Sequence, residues 1–461
     1  MHITFIKPNI GRPDHGLYVD EGRMEPLQIG VLAGLTPLEH QVAFYDDRME
    51  PIPYDEPTDA VAITVESFTA RRAYEIATAY HQRGVPVILG GMHITLLPEE
   101  AASYCDAIVT GDAESVWLEV LQDLARGTLQ RHYHGQPAVG QLGGSPVRRE
   151  LFADKGYLPI TLLQFSRGCH FACEFCAISS YFCQRHYTRP VHEVVEEIQA
   201  QKRKLLFFVD DNIAADKDAL KELCEALIPL KVRWVSQGSM DMLDDPELMR
   251  LLVRSGCLGF VIGFESLNED NLRAMRKAPN RRREGSAATG HYAEVIEELR
   301  SYGLQTWAAF TIGHDHDTVD SIRATADFAI RSKFTFSAYN VLMPYPGTPL
   351  YRRLEAEGRL LYEGKWWTHP DYRFNHAAFV PQQMTPEELT AVGFDCRKRF
   401  NSLGSIASRF LEPRTNLRTP YRALTYLLYN PLFRKEVHKK QGLHFGLKDT
   451  EMIPWNQGGI G

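Results

Sequence analysis

The sequence predicts an α/β protein. An N-terminal doubly wound (Rossmann-like) parallel sheet domain precedes a partial (β/α)6 TIM-type barrel and a small, mainly helical C-terminal domain. Three observations predict it. Apolar runs of seven residues alternate with helical periodicity through the first 125 residues. A Gly- and Pro-rich stretch at 126–155 interrupts the alternation, which resumes as six further strand–helix units. Past about residue 360 the pattern gives way to aromatic-rich and basic segments. The expected domains are therefore 1–140, 155–360 and 361–461.

The first series reads as strands HITFIKP (2–8), QVAFYDD (41–47), DAVAITV (59–65), VPVILGG (85–91) and DAIVTGD (106–112). Helical patterns at 25–36, 68–82, 97–104 and 114–125 separate or close them. In such open sheets ligands sit beyond the carboxyl ends of the strands. Gly90, Gly91 and His93 fall at one such end, Thr110 and Gly111 at another. The second series reads ITLLQFS (160–166), KLLFFVDD (204–211), VRWVSQGS (232–239), LGFVIGFES (258–266), TWAAFTIG (306–313) and FSAYNVLMP (336–344). Helices around 191–203, 217–228, 245–255, 290–302 and 317–331 fill the gaps. Barrel enzymes place their chemistry at the carboxyl ends of strands, where Asp210, Asp211, Gln237, Glu265 and Ser266 gather.

Composition narrows the function. The 461 residues are 44% apolar and 24% charged, ordinary for a globular protein of two or three domains. No run of eighteen apolar residues is present. MHITFIKPNI has no signal-peptide pattern and reads directly as a strand, so the cytoplasm is the expected compartment. A net charge of -7 argues against nucleic acid as a partner. Residues 397–440, with eleven Lys/Arg against two Asp/Glu, are the local exception. They read as a solvated basic face, or as a surface for an anionic substrate or membrane lipid. YRALTYLLYNPLFRKEV (421–437) within them packs on the barrel or lies at a membrane surface. WWTHPDYRFNH (366–376) could line a substrate pocket or dock the tail onto the barrel.

Eight cysteines are too sparse for a disulfide framework, and three cluster in SRGCHFACEFC (166–176). Cys169, Cys173 and Cys176 follow the first barrel strand at its carboxyl end. Soft thiolates select iron–sulfur or zinc. A 4Fe–4S cluster ordinarily takes four cysteines, so three leave one iron open to substrate. A zinc site completed by His170, His186 or Cys183 is the alternative. Cys105, Cys224, Cys257 and Cys396 read as buried small hydrophobes.

The C-x3-C-x-aromatic-C pattern, with Phe175 in the aromatic slot, resembles the radical S-adenosylmethionine (SAM) superfamily. FFVDDN (207–212), WVSQGSMD (234–241), GFES (263–266), FTIGHDHDT (310–318) and PYPGTPLY (344–351) resemble its later segments in order. The resemblance implies that Cys169, Cys173 and Cys176 hold a 4Fe–4S cluster whose open iron binds SAM. Phe175, Asp210, Asp211, Gln237, Glu265, Ser266 and Gly313 would lie about the SAM. One electron from an external reductase such as flavodoxin or ferredoxin then yields a 5′-deoxyadenosyl radical. PLQIGVLAGL (26–35), DAVAITV and GGMHITLLPEEAASYCDAIVTGDAE (90–114) look like the cobalamin-binding domain of one large subclass, with Gly90, Gly91, His93 and Gly111 at the cofactor. The D-x-H-x-x-G motif that supplies an axial histidine in other cobalamin proteins is absent.

The two resemblances imply a cobalamin-type radical SAM methyltransferase acting on an unactivated carbon of a small-molecule natural product or lipid. The alternative is a non-methylating enzyme with a vestigial cobalamin domain, catalysing dehydration, rearrangement or aminocarboxypropyl transfer. A cobalamin- or redox-responsive binding protein without turnover is a third reading.

Overall fold

The computed structural model describes residues 1–12, 23–136, 147–280, 288–448 and 450–455. Part of the expected linker and the end of the basic loop RKAPNRRR (276–283) lie outside the described residues. The chain forms two compact units. One comprises Met1–Leu158, Tyr362–Phe374 and Gly442–Gly461; the other comprises Pro159–Leu361 and Asn375–Gln441.

In the first unit β1 (His2–Lys7), β2 (Gln41–Asp46), β3 (Ala60–Thr64), β4 (Val87–Gly90), β5 (Ala107–Gly111) and β6 (His132–Gly135) form one sheet in the order β2-β1-β3-β4-β5-β6. Every pairing is parallel. Apolar runs suit strands buried on both faces, and Ile3, Phe5, Val61, Leu89 and Ile108 are fully buried. The strand order reverses at β1, with β2 on one side and β3 on the other. A crevice therefore opens beyond the carboxyl ends of β1 and β3. β6 lies in the stretch expected to be linker. Its sequence, HYHG, lacks apolar alternation, yet it pairs with β5 in register Thr110↔His134.

In the second unit β7 (Thr161–Leu163) begins a chain interrupted by a small antiparallel pair, β8 (Ser166–Gly168) and β9 (His186–Thr188). β10 (Leu205–Phe208), β11 (Arg233–Gly238), β12 (Cys257–Glu265), β13 (Gln305–Ile312) and β14 (Phe336–Val341) follow. β7 and β10–β14 pair in sequential order, all parallel, with helices between them and β7 and β14 at the edges. This is the open six-stranded form of a (β/α) barrel. ITLLQFS is thus not one strand. It breaks after Leu163, where Phe165 and Ser166 turn their N–H groups to the carboxylate of Asp210.

Residues 361–461 do not stand as a separate domain; they divide between the two units. Trp366, Trp367 and Tyr372 are buried in the first unit, where Trp366 packs on Phe68 and Phe445. They are therefore part of the first unit's core. Helices Pro386–Phe400, Leu403–Phe410 and Pro420–Lys440 belong to the second unit. Leu389, Val392, Cys396 and Phe400 are buried in the barrel's own core, an amphipathic stripe that isolated helices could not hide. Cys105, Cys224, Cys257 and Cys396 are at most 3% exposed, as small hydrophobes should be.

Candidate functional site

The cysteine loop leaves β8 at its end. Gly168, immediately before Cys169, has φ +81°, and a Cβ there would stand 2.1 Å from the Arg185 carbonyl oxygen. Only glycine makes this exit. Asp211 Oδ2 accepts from the Gly168 N–H at 2.8 Å, while Asp210 takes the N–H groups of Phe165 and Ser166 and, at 2.5 Å, the Ser166 hydroxyl. The aspartate pair thus anchors the backbone feeding the loop. Asp210 is fully buried, and burial pushes its carboxyl up to about 7 against those donors.

The loop's middle is held as firmly. Glu174, between Cys173 and Cys176, donates its N–H to Met275 O at 3.1 Å, and its carbonyl accepts from Leu350 N at 3.1 Å. Its carboxylate accepts from Arg353 Nη2 at 2.8 Å and Nε at 2.9 Å. Arg353 also meets Asp315 Oδ2 at 2.8 Å, and Arg359 meets Asp315 Oδ1 at 2.9 Å. Phe175, Met275, His314, Asp315 and Leu350 line a small cavity with Arg353. His314 is buried there with no hydrogen-bond partner on Nε2 among the described residues, and burial lowers its pKa.

The three thiols are free, with Cys173 buried and the others half-buried. Burial raises the Cys169 thiol, with Cys176 adding to it, and pushes Cys173 up to about 11, with Cys176 and Cys169 adding to it. Such thiols ionise when a metal replaces the proton. Asn212 Nδ2 reaches Cys169 Sγ at 3.8 Å and Ser239 Oγ at 3.1 Å. Among the described residues, no three His, Cys, Asp or Glu side chains converge on a single-ion position. The donor set would suit a 4Fe–4S cluster with a thiolate on three of its four irons.

Beside the thiols stands a cation. Burial opposes charge on Lys277, but Glu265 and the cysteines hold its pKa above the ordinary lysine value. Lys277 Nζ lies 3.0 Å from Glu265 Oε1, and the Thr311 hydroxyl donates to Glu265 Oε2 at 2.6 Å. Glu265 itself has φ +63°, a strained conformation for a residue with a side chain. A Cβ at Gly263 would stand 2.2 Å from Glu265 Oε1, so the glycine makes room for the folded-back carboxylate.

The remaining expected residues are placed as follows. Gln237 Nε2 donates to Asp210 O at 3.2 Å. Ser266 Oγ accepts from Asn268 N at 3.1 Å and Asn271 Nδ2 at 3.3 Å, fixing the turn after β12. Gly313 has φ +100° and packs on Leu389, where a Cβ would stand 2.5 Å from Cδ2. Phe175 lies 6.1 Å from His314, ring to ring. Asn212, Glu174, Lys277 and Arg353 were not singled out from the sequence. Asn212 lies in FFVDDN, Glu174 in SRGCHFACEFC and Lys277 in RKAPNRRR.

In the first unit Lys7 and Glu66 pair at 2.6 Å across the ends of β1 and β3, at the reversal of strand order. Gly90 and Gly111 are instead the last residues of β4 and β5, and Gly91 and His93 follow β4. Cβ atoms at Gly91 and Gly111 would strike Val65 O at 2.7 Å and Gly135 O at 2.1 Å. These glycines admit neighbouring backbone. His93 is fully buried, with Nδ1 3.2 Å from Ser67 Oγ, Nε2 3.5 Å from Glu100 Oε1, and its ring against Trp367.

The Radical SAM superfamily profile matches residues 163–329, from β7 into the helix after β13. Bacteriochlorophyllide d C-12(1)-methyltransferase of Chlorobaculum tepidum is 31% identical over 386 residues, which cover 81% of this chain and 82% of that protein. The chain belongs to the radical SAM superfamily. Bacteriochlorophyllide d C-8(2)-methyltransferase of the same organism is 28% identical, covering 75% of the chain and 80% of the relative. Among solved structures, TsrM from Kitasatospora setae, a radical S-adenosylmethionine methyltransferase, superposes with TM-score 0.62 at 16% identity, over 95% of this chain and 98% of TsrM. OxsB, a cobalamin-dependent SAM radical enzyme, superposes with TM-score 0.64 at 13% identity, over 95% and 71%. These two share the fold. The chain is thus a radical SAM enzyme with methyltransferases among its relatives. Membership implies a 4Fe–4S cluster and SAM as cofactors, and the need for a reductant.

Proposed function

We propose that this radical SAM enzyme methylates an unactivated carbon on the periphery of a tetrapyrrole, with cobalamin as methyl carrier and a flavodoxin or ferredoxin as electron donor. The observation that carries the reading is the 31% identity, over most of both chains, to a methyltransferase named for a bacteriochlorophyllide side chain. The cysteine loop supports it with three thiols and no fourth from the same run. Cys169, Cys173 and Cys176 would hold the cluster, with Asn212 donating to Cys169 Sγ. The crevice beside Lys7 and Glu66 is where the doubly wound sheet would receive cobalamin. In this reading His93, with Ser67 3.2 Å from Nδ1 and Glu100 3.5 Å from Nε2, would not serve as its axial ligand.

When bound, the cluster supplies an electron to the sulfonium of SAM, and cobalamin supplies the transferable methyl group. The chain's own residues orient and enclose. Glu265, aligned by Lys277 and Thr311, is placed to accept hydrogen bonds from hydroxyl groups of a ligand over β12. The Arg353–Glu174 pair keeps the loop from shifting.

A second reading has one specific support. The anaerobic magnesium-protoporphyrin IX monomethyl ester cyclase of Cereibacter sphaeroides is 23% identical over 363 residues, so ring closure without methyl transfer is the alternative outcome at the same class of substrate. The test is anaerobic incubation of reconstituted protein with methyl-labelled SAM, reductant, cobalamin and a bacteriochlorophyllide. Label in the macrocycle together with 5′-deoxyadenosine supports methylation. 5′-Deoxyadenosine with an unlabelled, altered macrocycle supports the cyclase reading, and no 5′-deoxyadenosine defeats both.

A further inference from the structure

Among the described residues, ten large hydrophobic side chains are more than a third exposed, and six of them lie between residues 403 and 428: Leu403, Leu411, Leu417, Leu424, Leu427 and Leu428. Three of these share the outward face of the helix Pro420–Lys440, with Leu424 56%, Leu427 50% and Leu428 60% exposed. At 3.6 residues per turn that face continues through Pro431 to Lys435 and His438, and all six positions are exposed. A helix lying on a water-facing barrel should carry its leucines inward.

Here the inward positions are polar or aromatic, and they are taken. The buried Arg422 donates to the Gly303 carbonyl. Tyr426 OH donates to Ile406 O at 2.8 Å, and Asn430 Oδ1 accepts from Arg409 Nη2 at 3.2 Å. Phe433 packs on Trp307 and Phe336, each at 5.1 Å. The helix is therefore locked in this orientation and cannot roll to hide its leucines. The outward strip is apolar over two turns and basic in the next two, where Lys435 and Lys439 are exposed, as is Arg418 just before the helix. Residues 414–440 carry seven Lys/Arg against one Glu.

We infer that this face docks on an anionic lipid surface, with the leucines entering the headgroup boundary and the basic residues on the phosphates. An apolar strip sized for shallow insertion, rimmed by cations, is the pattern of interfacial binding rather than spanning. No helix among the described residues is long and apolar enough to cross a membrane. Charge decides the occupant: anionic headgroups neutralise the excess of cations, whereas a second copy would bring its own.

The test is flotation of the full chain with phosphatidylcholine vesicles, with and without roughly a third phosphatidylglycerol. Binding is expected to the anionic vesicles, weakening severalfold between 0.1 and 0.5 M salt, as for a Debye-screened contact (about 10 Å at 0.1 M). Leu424→Ser/Leu427→Ser/Leu428→Ser is expected to lower it at least about tenfold, and Lys435→Gln/Lys439→Gln severalfold, each with an unchanged thermal midpoint. Hydrogen exchange of the unmodified chain provides a readout independent of the variants, with amide protection gained over 420–433 when anionic vesicles are added. Absence of binding to anionic vesicles overturns the inference. So does equal binding by the triple-serine variant, or a dimer in sedimentation velocity that this variant dissolves.

Discussion

Arg353 grips Glu174 through Nη2 and Nε, at 2.8 and 2.9 Å, so a residue of the helix after β14 fixes the centre of a loop 179 positions earlier in the chain. The same guanidinium meets Asp315 beyond β13. Two consecutive strand ends of the barrel are thereby tied to the cysteine loop. Coulomb attraction alone is modest for a partly exposed pair; the consequence is positional.

Arg353→Gln is accordingly expected to fold but to hold its iron poorly. Iron content after anaerobic desalting should fall by about half or more, with roughly tenfold slower SAM cleavage, the scale on which small misplacements act. Arg353→Lys keeps the charge and loses the two-nitrogen grip, so it should restore only part of the loss. Full iron retention in Arg353→Gln would contradict the positioning role.

Lys277 places positive charge beside three thiols. Removing it in Lys277→Met should leave Glu265 without its cation and make the site harder to reduce, because a reduced cluster carries more negative charge. A potentiometric titration monitored by electron paramagnetic resonance should show the midpoint shifted to more negative values, while Lys277→Arg keeps it near that of the unchanged protein.

Asp210 predicts a pH dependence. Its native pKa is raised from 3.8 to about 7, with burial the leading cause. The native state therefore holds a proton that the unfolded chain has released between these values. The contribution to stability is full below 3.8 and is lost as pH rises through 7. Thermal midpoints of the cluster-free protein should carry a declining component over this window. In Asp210→Asn that component disappears, at an overall cost of about 1–3 kcal/mol from an amide facing backbone N–H donors.

Much of this was legible beforehand. Runs such as DAVAITV and KLLFFVDD have no alternation to hide, because parallel strands are covered on both faces, and the cysteine spacing is a local property of eight residues. What stayed hidden depends on long-range pairing. HYHG becomes β6 only because β5 offers an unpaired edge. WWTHPDYRFNH becomes core of the first unit because Phe68 and Phe445 meet it. Asp210 and Asp211 carry the residue type that binds a ligand, but backbone N–H groups already occupy them. Glu174 and Arg353 are ordinary surface residues until the barrel brings them together.

His93 is the clearest such case. A histidine after a glycine pair suggests a cofactor contact, yet it is sealed among Ser67, Glu100, Tyr74 and Trp367. His93→Ala should lower unfolding stability by about 2–4 kcal/mol through the cavity and the lost polar partners. The absorption spectrum of any bound cobalamin should not change, since no axial ligand is removed. A shift to the spectrum of a differently ligated cobalt would show that His93 reaches the metal.

The most direct measurement concerns the cysteines. Protein reconstituted anaerobically with iron and sulfide is examined by Mössbauer spectroscopy, with and without SAM, beside Cys169→Ala, Cys173→Ala, Cys176→Ala and the exposed Cys183→Ala. One 4Fe–4S cluster with a single iron altered by SAM, lost in each triplet variant and kept in Cys183→Ala, is the predicted result. Tetrahedral zinc in that loop, or SAM cleavage that survives replacement of all three thiols, would contradict the account.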